Sequence, residues 1–198
     1  MNFLAHLYLS GNDDDIIIGN FIADMVKGRQ INGYRSGIVE GIKLHRKIDD
    51  YTDAHPVVRQ SKARLRGKYR LYSGVVVDMY YDHFLAKNWQ QYSDYDLGEY
   101  VGRAYGILSS SMDILPERAR YILPFMIDNN WLVNYADPEM LSHNFGGMAR
   151  RTPFDSKMET AVDELLQNYE EFGSEFRAFF PELKEYVAEQ GISHGHHR

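Results

Sequence analysis

Apolar residues recur at spacings of three and four along most of this chain, which is the period of one face of an α-helix. No stretch alternates apolar and polar residues towards a hairpin turn. Single glycines and prolines separate the helical stretches and predict breaks at Gly67, Pro116, Pro138, Pro153 and Pro181. The pattern predicts one compact all-α domain over residues 1–190, with helices at about 13–28, 34–54, 56–66, 73–88, 94–111, 116–129, 138–149 and 155–180.

The end of the chain, residues 191–198, reads GISHGHHR and holds three histidines. Chain termini are commonly frayed unless something ties them down. We expect a disordered tail whose histidines bind metal only adventitiously.

The helix predicted over 34–54 loses its apolar face half-way along. A stripe that begins with Ile38 and Ile42 continues, at spacings of three and four, through His45, Asp49 and Asp53. A charge taken out of water costs several kcal/mol unless a counter-charge or a metal meets it. This face therefore predicts a partner for the imidazole and the carboxylates.

The helix predicted over 73–88 breaks its apolar face in the same way. Asp78 and Asp82 stand between Val75 and Leu85 at spacings of three and four, and His83 lies on the adjoining flank. One pair of aspartates is weak evidence, but the repetition on separate helices points to a shared cause.

Two further segments add candidates. Asn20 and Asp24 follow Ile17 on one face, and His6 lies in the apolar segment NFLAHLYL.

We interpret the polar residues that interrupt these apolar stripes as ligands that surround a divalent cation. Oxygen and imidazole donors without thiolate favour Mn²⁺, Mg²⁺ or Fe²⁺, with Zn²⁺ as a further option. The alternative is a buried network of ion pairs with Lys43, Arg46 and Lys47.

The formal net charge of −6 argues against general nucleic-acid binding, but it hides a basic segment. Residues 57–70 contain no acid and hold six cationic side chains, Arg59, Lys62, Arg64, Arg66, Lys68 and Arg70. Such a run is either a solvated helix face or a dock for an anionic partner.

The composition also indicates a compartment. The chain has no cysteine, which excludes disulfides and thiolate zinc sites and fits a reducing environment. No apolar run is long enough for a membrane span, and the first residues lack the basic region of a signal peptide. We expect a cytoplasmic protein without a membrane partner.

Five segments resemble the acyl carrier protein phosphodiesterase family, in consistent order along residues 1–180. They are NFLAHL at the start, GNFIAD ending at Asp24, HRKID at 45–49, DMYYDHFL at 78–85 and GMARR at 147–151. The family is a divergent relative of the metal-dependent HD-domain phosphohydrolases. The resemblance implies an HD-domain-like helical fold, a divalent cation that is typically manganese, and holo-acyl carrier protein as substrate.

The implied reaction is hydrolysis of the phosphodiester that joins 4′-phosphopantetheine to a serine of the carrier. Two alternatives stay open. One is an HD-like phosphohydrolase of a small nucleotide or sugar phosphate, and the other is a module that binds acyl carrier protein without turnover.

With this reaction in view, we assign the candidate residues to roles. Asp82 or His83 positions water or protonates the serine oxygen, and Arg46 holds a phosphate oxygen. The basic segment 57–70 docks the acidic carrier, and Arg150 and Arg151 form a second patch. The metal set is His45, Asp24 and Asp78, with His6 and Asp49 as additional ligands or orienting groups.

Overall fold

The computed structural model describes residues 1–191, so the predicted tail lies outside the described residues apart from Gly191. This range contains helices and turns but no β-strand, which confirms the predicted all-α class. None of its helices is long and apolar enough to cross a membrane. The α-helices are α1 (Phe3–Leu9), α2 (Asp14–Ile22), α3 (Ser36–Ala54), α4 (Pro56–Tyr69), α5 (Ser73–Lys87), α6 (Leu97–Ser109), α7 (Glu117–Asp128), α8 (Trp131–Asn134), α9 (Pro138–Arg151), α10 (Ala161–Gln167) and α11 (Tyr169–Glu189). Short 3₁₀ turns occupy Ala23–Met25, Gly28–Gly33, Arg70–Tyr72, Trp89–Gln91 and Met158–Thr160.

Some predicted boundaries are wrong. Gly67 does not break α4, because it lies on an exposed face where a glycine costs only about 1 kcal/mol. Pro181 lies inside α11, which continues because Leu183 and Val187 beyond it are fully buried. The stretch 155–180 is not one helix, since it divides at Asn168 into α10 and α11. The stretch 13–28 leaves the α-helical path after Ile22.

The helix α5 forms the core of the molecule and packs against α1, α4 and α11. Every residue from 79 to 86 is buried. Aromatic rings of α11 close around it, with Tyr80 and Phe172 4.9 Å apart between centroids and Tyr81 and Phe176 5.6 Å apart. A helix that is covered on all sides belongs in a core, and it gives the neighbouring helices a fixed base.

A buried ion pair joins α4 to α11. Both carboxylate oxygens of Glu175 accept hydrogen bonds from the Arg64 guanidinium, each at 2.8 Å, and Ser61 Oγ donates to the same carboxylate at 2.5 Å. Glu175 is buried whereas Arg64 is 24% exposed, so removal of the arginine would leave a buried carboxylate without its cationic partner. Arg64 is therefore part of the framework.

The helices α2 and α3 cross with their backbones in contact. A Cβ added to Gly19 would lie 2.1 Å from the Ile38 carbonyl oxygen and 2.8 Å from the Gly41 Cα. A Cβ on Gly41 would lie 2.4 Å from the Ile16 carbonyl oxygen. Only glycine allows this approach, which sets the end of α2 against the middle of α3.

The short helix α1 is held by a carboxylate from α5. The oxygens of Asp82 accept hydrogen bonds from the backbone N–H groups of Asn2, Leu4 and Ala5, at 3.0, 2.8 and 3.3 Å. The first N–H groups of a helix lack partners within it, so Asp82 meets this need from a distant part of the chain. The consequence is a fixed position for His6, one turn further along.

We expect the substitution Gly19→Ala to lower the free energy of unfolding by about 3 kcal/mol, the upper end of overpacking costs, because the two backbones must separate. Gly106→Ala is the matched control, since its Cβ meets open space inside α6. The control should be neutral or stabilise by up to about 1 kcal/mol. Chemical denaturation measures both, and equal effects would contradict the proposed contact.

Candidate metal centre

Side chains of α1 and α3 converge at one point next to the end of α2. His6, His45 and Asp49 each offer a ligand atom, and these atoms lie within 4.8 Å of one another. The Nε2 atoms of His6 and His45 each lie 3.1 Å from an oxygen of Asp49. The two imidazoles stack at 3.9 Å between centroids and both are buried, whereas Asp49 is half-buried. The structure thus brings together three of the five predicted ligands.

Asn20 orients both imidazoles. Its side-chain oxygen accepts hydrogen bonds from Nδ1 of His6 at 2.8 Å and Nδ1 of His45 at 3.0 Å. Its backbone oxygen also accepts from His45 Nδ1, at 2.9 Å, in the last turn of α2 where carbonyls lack helical partners. The amide nitrogen donates to the His6 carbonyl and to Ser10 Oγ, each at 2.9 Å, which fixes the direction of the amide. Nδ1 is therefore the donor on each ring, and each Nε2 faces Asp49.

The pKa values of His6, His45 and Asp49 are shifted in different directions. Burial lowers the pKa of His6 to about 4, and the charge on His45 acts in the same direction. Burial opposes charging of His45 too, but Asp24 and Asp49 outweigh it and raise the pKa to about 9. Burial opposes ionisation of Asp49, yet the two imidazoles hold its pKa well below the usual range. Without metal, the imidazoles therefore carry one positive charge near neutral pH, on His45, while His6 is neutral.

The donor set fits a divalent cation. Nε2 of His45 is buried and makes no well-aligned hydrogen bond, although oxygens of Asp49 and Asp24 lie 3.1 and 3.4 Å away. The ligand atoms of His6, His45 and Asp49 lie within 4.8 Å of one another, close enough for all three to bind one ion. Histidines that bind metals through one ring nitrogen donate from the other to a carbonyl, as both do here to Asn20.

Asp24 lies at the rim of this cluster. It follows α2 in a 3₁₀ turn, and its side chain is 81% exposed. The nearby His45 imidazole lowers the pKa of Asp24 although burial opposes the shift, so the group is an anion next to the point that His45 faces.

Asp78 has a different partner. Its carboxylate lies 2.9 Å from the N-terminal ammonium of Met1, which is buried. Burial lowers the pKa of this amine, but Asp78 and Asp49 outweigh burial and raise it. The described contacts pair Asp78 with this ammonium, and none of them joins Asp78 to His6, His45 or Asp49.

The two candidates that follow on α5 make buried contacts elsewhere. Asp82 holds the start of α1, and burial raises its pKa to about 7 although the ammonium and the backbone N–H groups oppose the shift. Nδ1 of His83 donates to the Tyr135 carbonyl at 2.8 Å, and its Nε2 lies 2.9 Å from the Tyr169 hydroxyl. Neither side chain touches His6, His45 or Asp49 among the contacts of the described residues.

The cations near the cluster do not neutralise it. Lys43 pairs with Glu40 and Lys47 donates to Gln190, each at 2.8 Å, while Arg46 is exposed beside His45. Within residues 1–191 none of these three forms an ion pair with the cluster carboxylates. The alternative of a buried network with these cations is therefore not what the structure contains.

A family model described as acyl carrier protein phosphodiesterase matches residues 1–183. The chain belongs to this family. The resemblance inferred from the five sequence segments is thereby confirmed. No solved structure matches the chain, so the predicted likeness to HD-domain proteins stays a prediction.

Relatives that carry the family's name cover nearly the whole chain. An acyl carrier protein phosphodiesterase of Photorhabdus laumondii is 34% identical over 186 residues, which is 93% of this chain and 94% of the relative. Those of Salmonella agona and Salmonella newport are each 32% identical over 193 residues, 97% of this chain and 100% of the relative. The chain and its named relatives therefore correspond over more than nine tenths of their lengths.

The structure divides the basic segment of this family member into paired and unpaired cations. Lys62 pairs with Asp53 at 2.5 Å, Lys68 with Glu164 at 3.3 Å, and Arg59 donates to the Asp53 carbonyl at 3.4 Å. Arg64 belongs to the buried pair described above. Arg66 and Arg70 are exposed and have no ion-pair partner among the described residues, as is true of the predicted second patch, Arg150 and Arg151.

We expect Asn20→Ala to weaken Mn²⁺ binding about 10–100-fold, because both imidazoles lose the acceptor that orients them. Isothermal titration of the purified protein with Mn²⁺ measures this. Asn88→Ala is the control, since the Asn88 amide bonds only the Phe84 carbonyl of its own helix. Unchanged affinity in Asn20→Ala would contradict the orienting role.

Affinity for Mn²⁺ should rise with pH up to about pH 9, because ligation by Nε2 must displace the proton that His45 holds. Between pH 6 and 8 the apparent association constant should increase about tenfold per pH unit, with one proton released per cation. Titrations in buffers of different protonation enthalpy measure the release, and pH-independent affinity would contradict the assignment.

Without metal, the contribution of charged His45 to the free energy of unfolding is complete below the ordinary pKa of 6.5. It disappears as the pH rises through about 9.

Proposed function

We propose that this chain hydrolyses the phosphodiester between 4′-phosphopantetheine and the serine of holo-acyl carrier protein, with a divalent cation held by His6, His45 and Asp49. The observation that supports the proposal is the buried cluster of two imidazoles and a carboxylate, oriented by Asn20, in a chain of this family. The named relatives supply the substrate class.

A cation in this position would supply Lewis acidity for the phosphoryl oxygens and for the attacking water. The chain itself fixes the donors before substrate arrives, since Asn20 holds both rings and Asp82 holds α1. The resemblance favours Mn²⁺, and a set of two histidines and one carboxylate also suits Fe²⁺ or, less directly, Mg²⁺. We keep Asp24 as a further ligand from the rim. Asp78 would take this role only by exchanging its ammonium partner.

The remaining roles are part of the same proposal. Arg46 is exposed beside His45, where its guanidinium is free to hold a non-bridging phosphate oxygen. The predicted proton-transfer roles of Asp82 and His83 stay predictions. Their contacts favour positioning roles, because the Asp82 oxygens already accept three backbone N–H bonds and both ring nitrogens of His83 are engaged.

The turnover experiment is direct. Incubation with holo-acyl carrier protein and Mn²⁺ should remove the phosphopantetheine arm, detected by mass spectrometry of the carrier, and EDTA should abolish the reaction. His45→Ala and Asp49→Ala should each lower turnover at least about 100-fold, because each removes a ligand.

The control for these two variants is His143→Ala, an exposed histidine of α9 that bonds only its own helix. It should keep wild-type activity. Full activity in excess EDTA would overturn the metal-dependent mechanism, and an intact carrier under all conditions would overturn the proposed reaction.

We further propose that the carrier docks at the turn between α4 and α5. Arg66 and Arg70 are unpaired there, and Leu71 beside them is 92% exposed. Arg70 has a positive φ of 51°, a backbone state that non-glycine residues rarely adopt and that is often found at functional positions. Asp78 lies about one and a half turns into the helix that starts next to this turn.

Double reversal of Arg66 and Arg70 to Glu should raise the KM for holo-acyl carrier protein about tenfold, equivalent to about 1.4 kcal/mol, because attraction to an acidic partner becomes repulsion. The effect should fade near 1 M salt, where the Debye length is about 3 Å. Arg118 and Arg120, exposed on α7, give the matched double reversal that should leave the KM unchanged. Equal KM values for the two double variants at low salt would exclude this docking site.

A further inference from the structure

A cavity of about 600 Å³ lies beside the candidate metal centre. It is open to solvent on one side and is lined by the residues that follow Asp24, by the 3₁₀ turn Gly28–Gly33, by the start of α3 and by the start of α7. Its wall combines the apolar side chains of Met25, Val26, Ile38 and Ile114 with the polar side chains of Gln30, Tyr34, Arg35 and Glu117. This volume and this lining are typical of sites for small organic molecules.

Residues of the cavity wall are close along the chain to residues at the cluster. Met25 in its wall directly follows Asp24, whose carboxylate is 3.4 Å from His45 Nε2. Ile38 and His45 lie about two turns apart on α3, a distance of about 10 Å. A ligand with its phosphate at the cluster would therefore reach the cavity with an extended chain about 10 Å long.

The cavity and the α4–α5 turn are built from separate parts of the chain. The residues after Asp24 and the start of α3 line the cavity, whereas the turn joins α4 to the helix that carries Asp78. Ile38 precedes His45 and Asp49 on α3, so the cavity lies towards the N-terminal end of this helix. A phosphodiester at the cluster has two substituents, and these two sets of residues give each of them a separate surface.

The charges of the cavity favour an uncharged ligand. Its cationic side chain, Arg35, is already neutralised by Asp15, with Nε 2.8 Å from both carboxylate oxygens. Glu117 adds a negative charge to the wall, whereas Gln30 and Tyr34 offer neutral hydrogen-bonding groups. A second phosphate, as in a nucleotide, would find no free cation among these lining residues.

We propose that this cavity binds the pantetheine arm of the substrate, while the carrier protein remains at the α4–α5 turn. The arm is an uncharged chain with two amides, a hydroxyl, a pair of methyl groups and a thiol, which matches the apolar side chains and the neutral polar groups of the wall. The inference rests on the proposed function, because the phosphodiester must lie at the cluster for the arm to enter here.

Gly33 provides a way to fill the cavity without disturbing the helices. It lines the cavity, its φ is not in the left-handed region, and a Cβ built there meets nothing within 4 Å. Gly33→Trp therefore adds bulk in open space. Gly102→Trp is the matched control, because Gly102 is exposed on α6, is not part of the cavity wall and also meets nothing within 4 Å.

The test is calorimetric binding of pantetheine, which lacks the phosphate and therefore reports on the cavity alone. Wild type and Gly102→Trp should bind it with equal affinity, and Gly33→Trp should bind at least tenfold more weakly. If Gly33→Trp fails to fold by circular dichroism, Tyr34→Ala replaces it, with the same direction expected. No binding to wild type, or equal binding to wild type and the cavity variant, would overturn the proposal, as would preference for a fatty acid over pantetheine.

Turnover of the same variants separates this inference from the proposed function. Gly33→Trp should raise the KM for holo-acyl carrier protein about tenfold and spare hydrolysis of bis(4-nitrophenyl) phosphate, which has no arm. The pantetheine titration tests whether the cavity binds the arm. Hydrolysis of holo-acyl carrier protein by wild type tests the proposed reaction, so the failure of either proposal can be recognised separately.

Discussion

The backbone contact between α2 and α3 at Gly19 and Gly41 is the constraint on which the candidate site depends. It brings the last turn of α2 against α3, so that the free carbonyl of Asn20 meets the ring of His45 at 2.9 Å. A side chain at either glycine would push this carbonyl away from the ring. The same approach places the Asn20 amide where it reaches both imidazoles at once.

The site then depends on buried polar groups that satisfy one another. Asn20 uses its amide nitrogen for α1 and its oxygens for the imidazoles, while Asp82 holds the start of α1. An unsatisfied buried polar group costs about 1–3 kcal/mol, so these networks favour a single arrangement of the three helices. Nε2 of His45 is the exception, because it is buried without an aligned hydrogen bond. A cation bound to the lone pair of this nitrogen is the simplest physical reason for the arrangement.

The sequence was sufficient for the helical class and for part of the site. His45 and Asp49 are four residues apart on a helix whose other positions on that face are apolar, so periodicity alone placed them together. His6 was visible only as a histidine in an apolar segment. Periodicity identifies the face of a helix but not its partner, and the role of Asn20 depends on a crossing of two helices that no local pattern reveals.

Other features depended on tertiary contacts in the same way. Asp82 lies on the same face as Asp78, yet it bonds the start of α1, a helix that the apolar pattern did not predict. Arg64 looked like one cation of a basic segment, but its partner Glu175 is more than a hundred residues away in sequence. The local sequence pattern indicated which residues are buried, but the residues that they contact could be identified only from the three-dimensional structure.

The most direct test of the account is the position of Mn²⁺ in crystals of the metal-loaded protein, located by its anomalous scattering. We predict one strong peak enclosed by Nε2 of His6, Nε2 of His45 and a carboxylate oxygen of Asp49. A peak bound elsewhere, or none at saturating Mn²⁺, would contradict the central claim that this cluster is a metal centre.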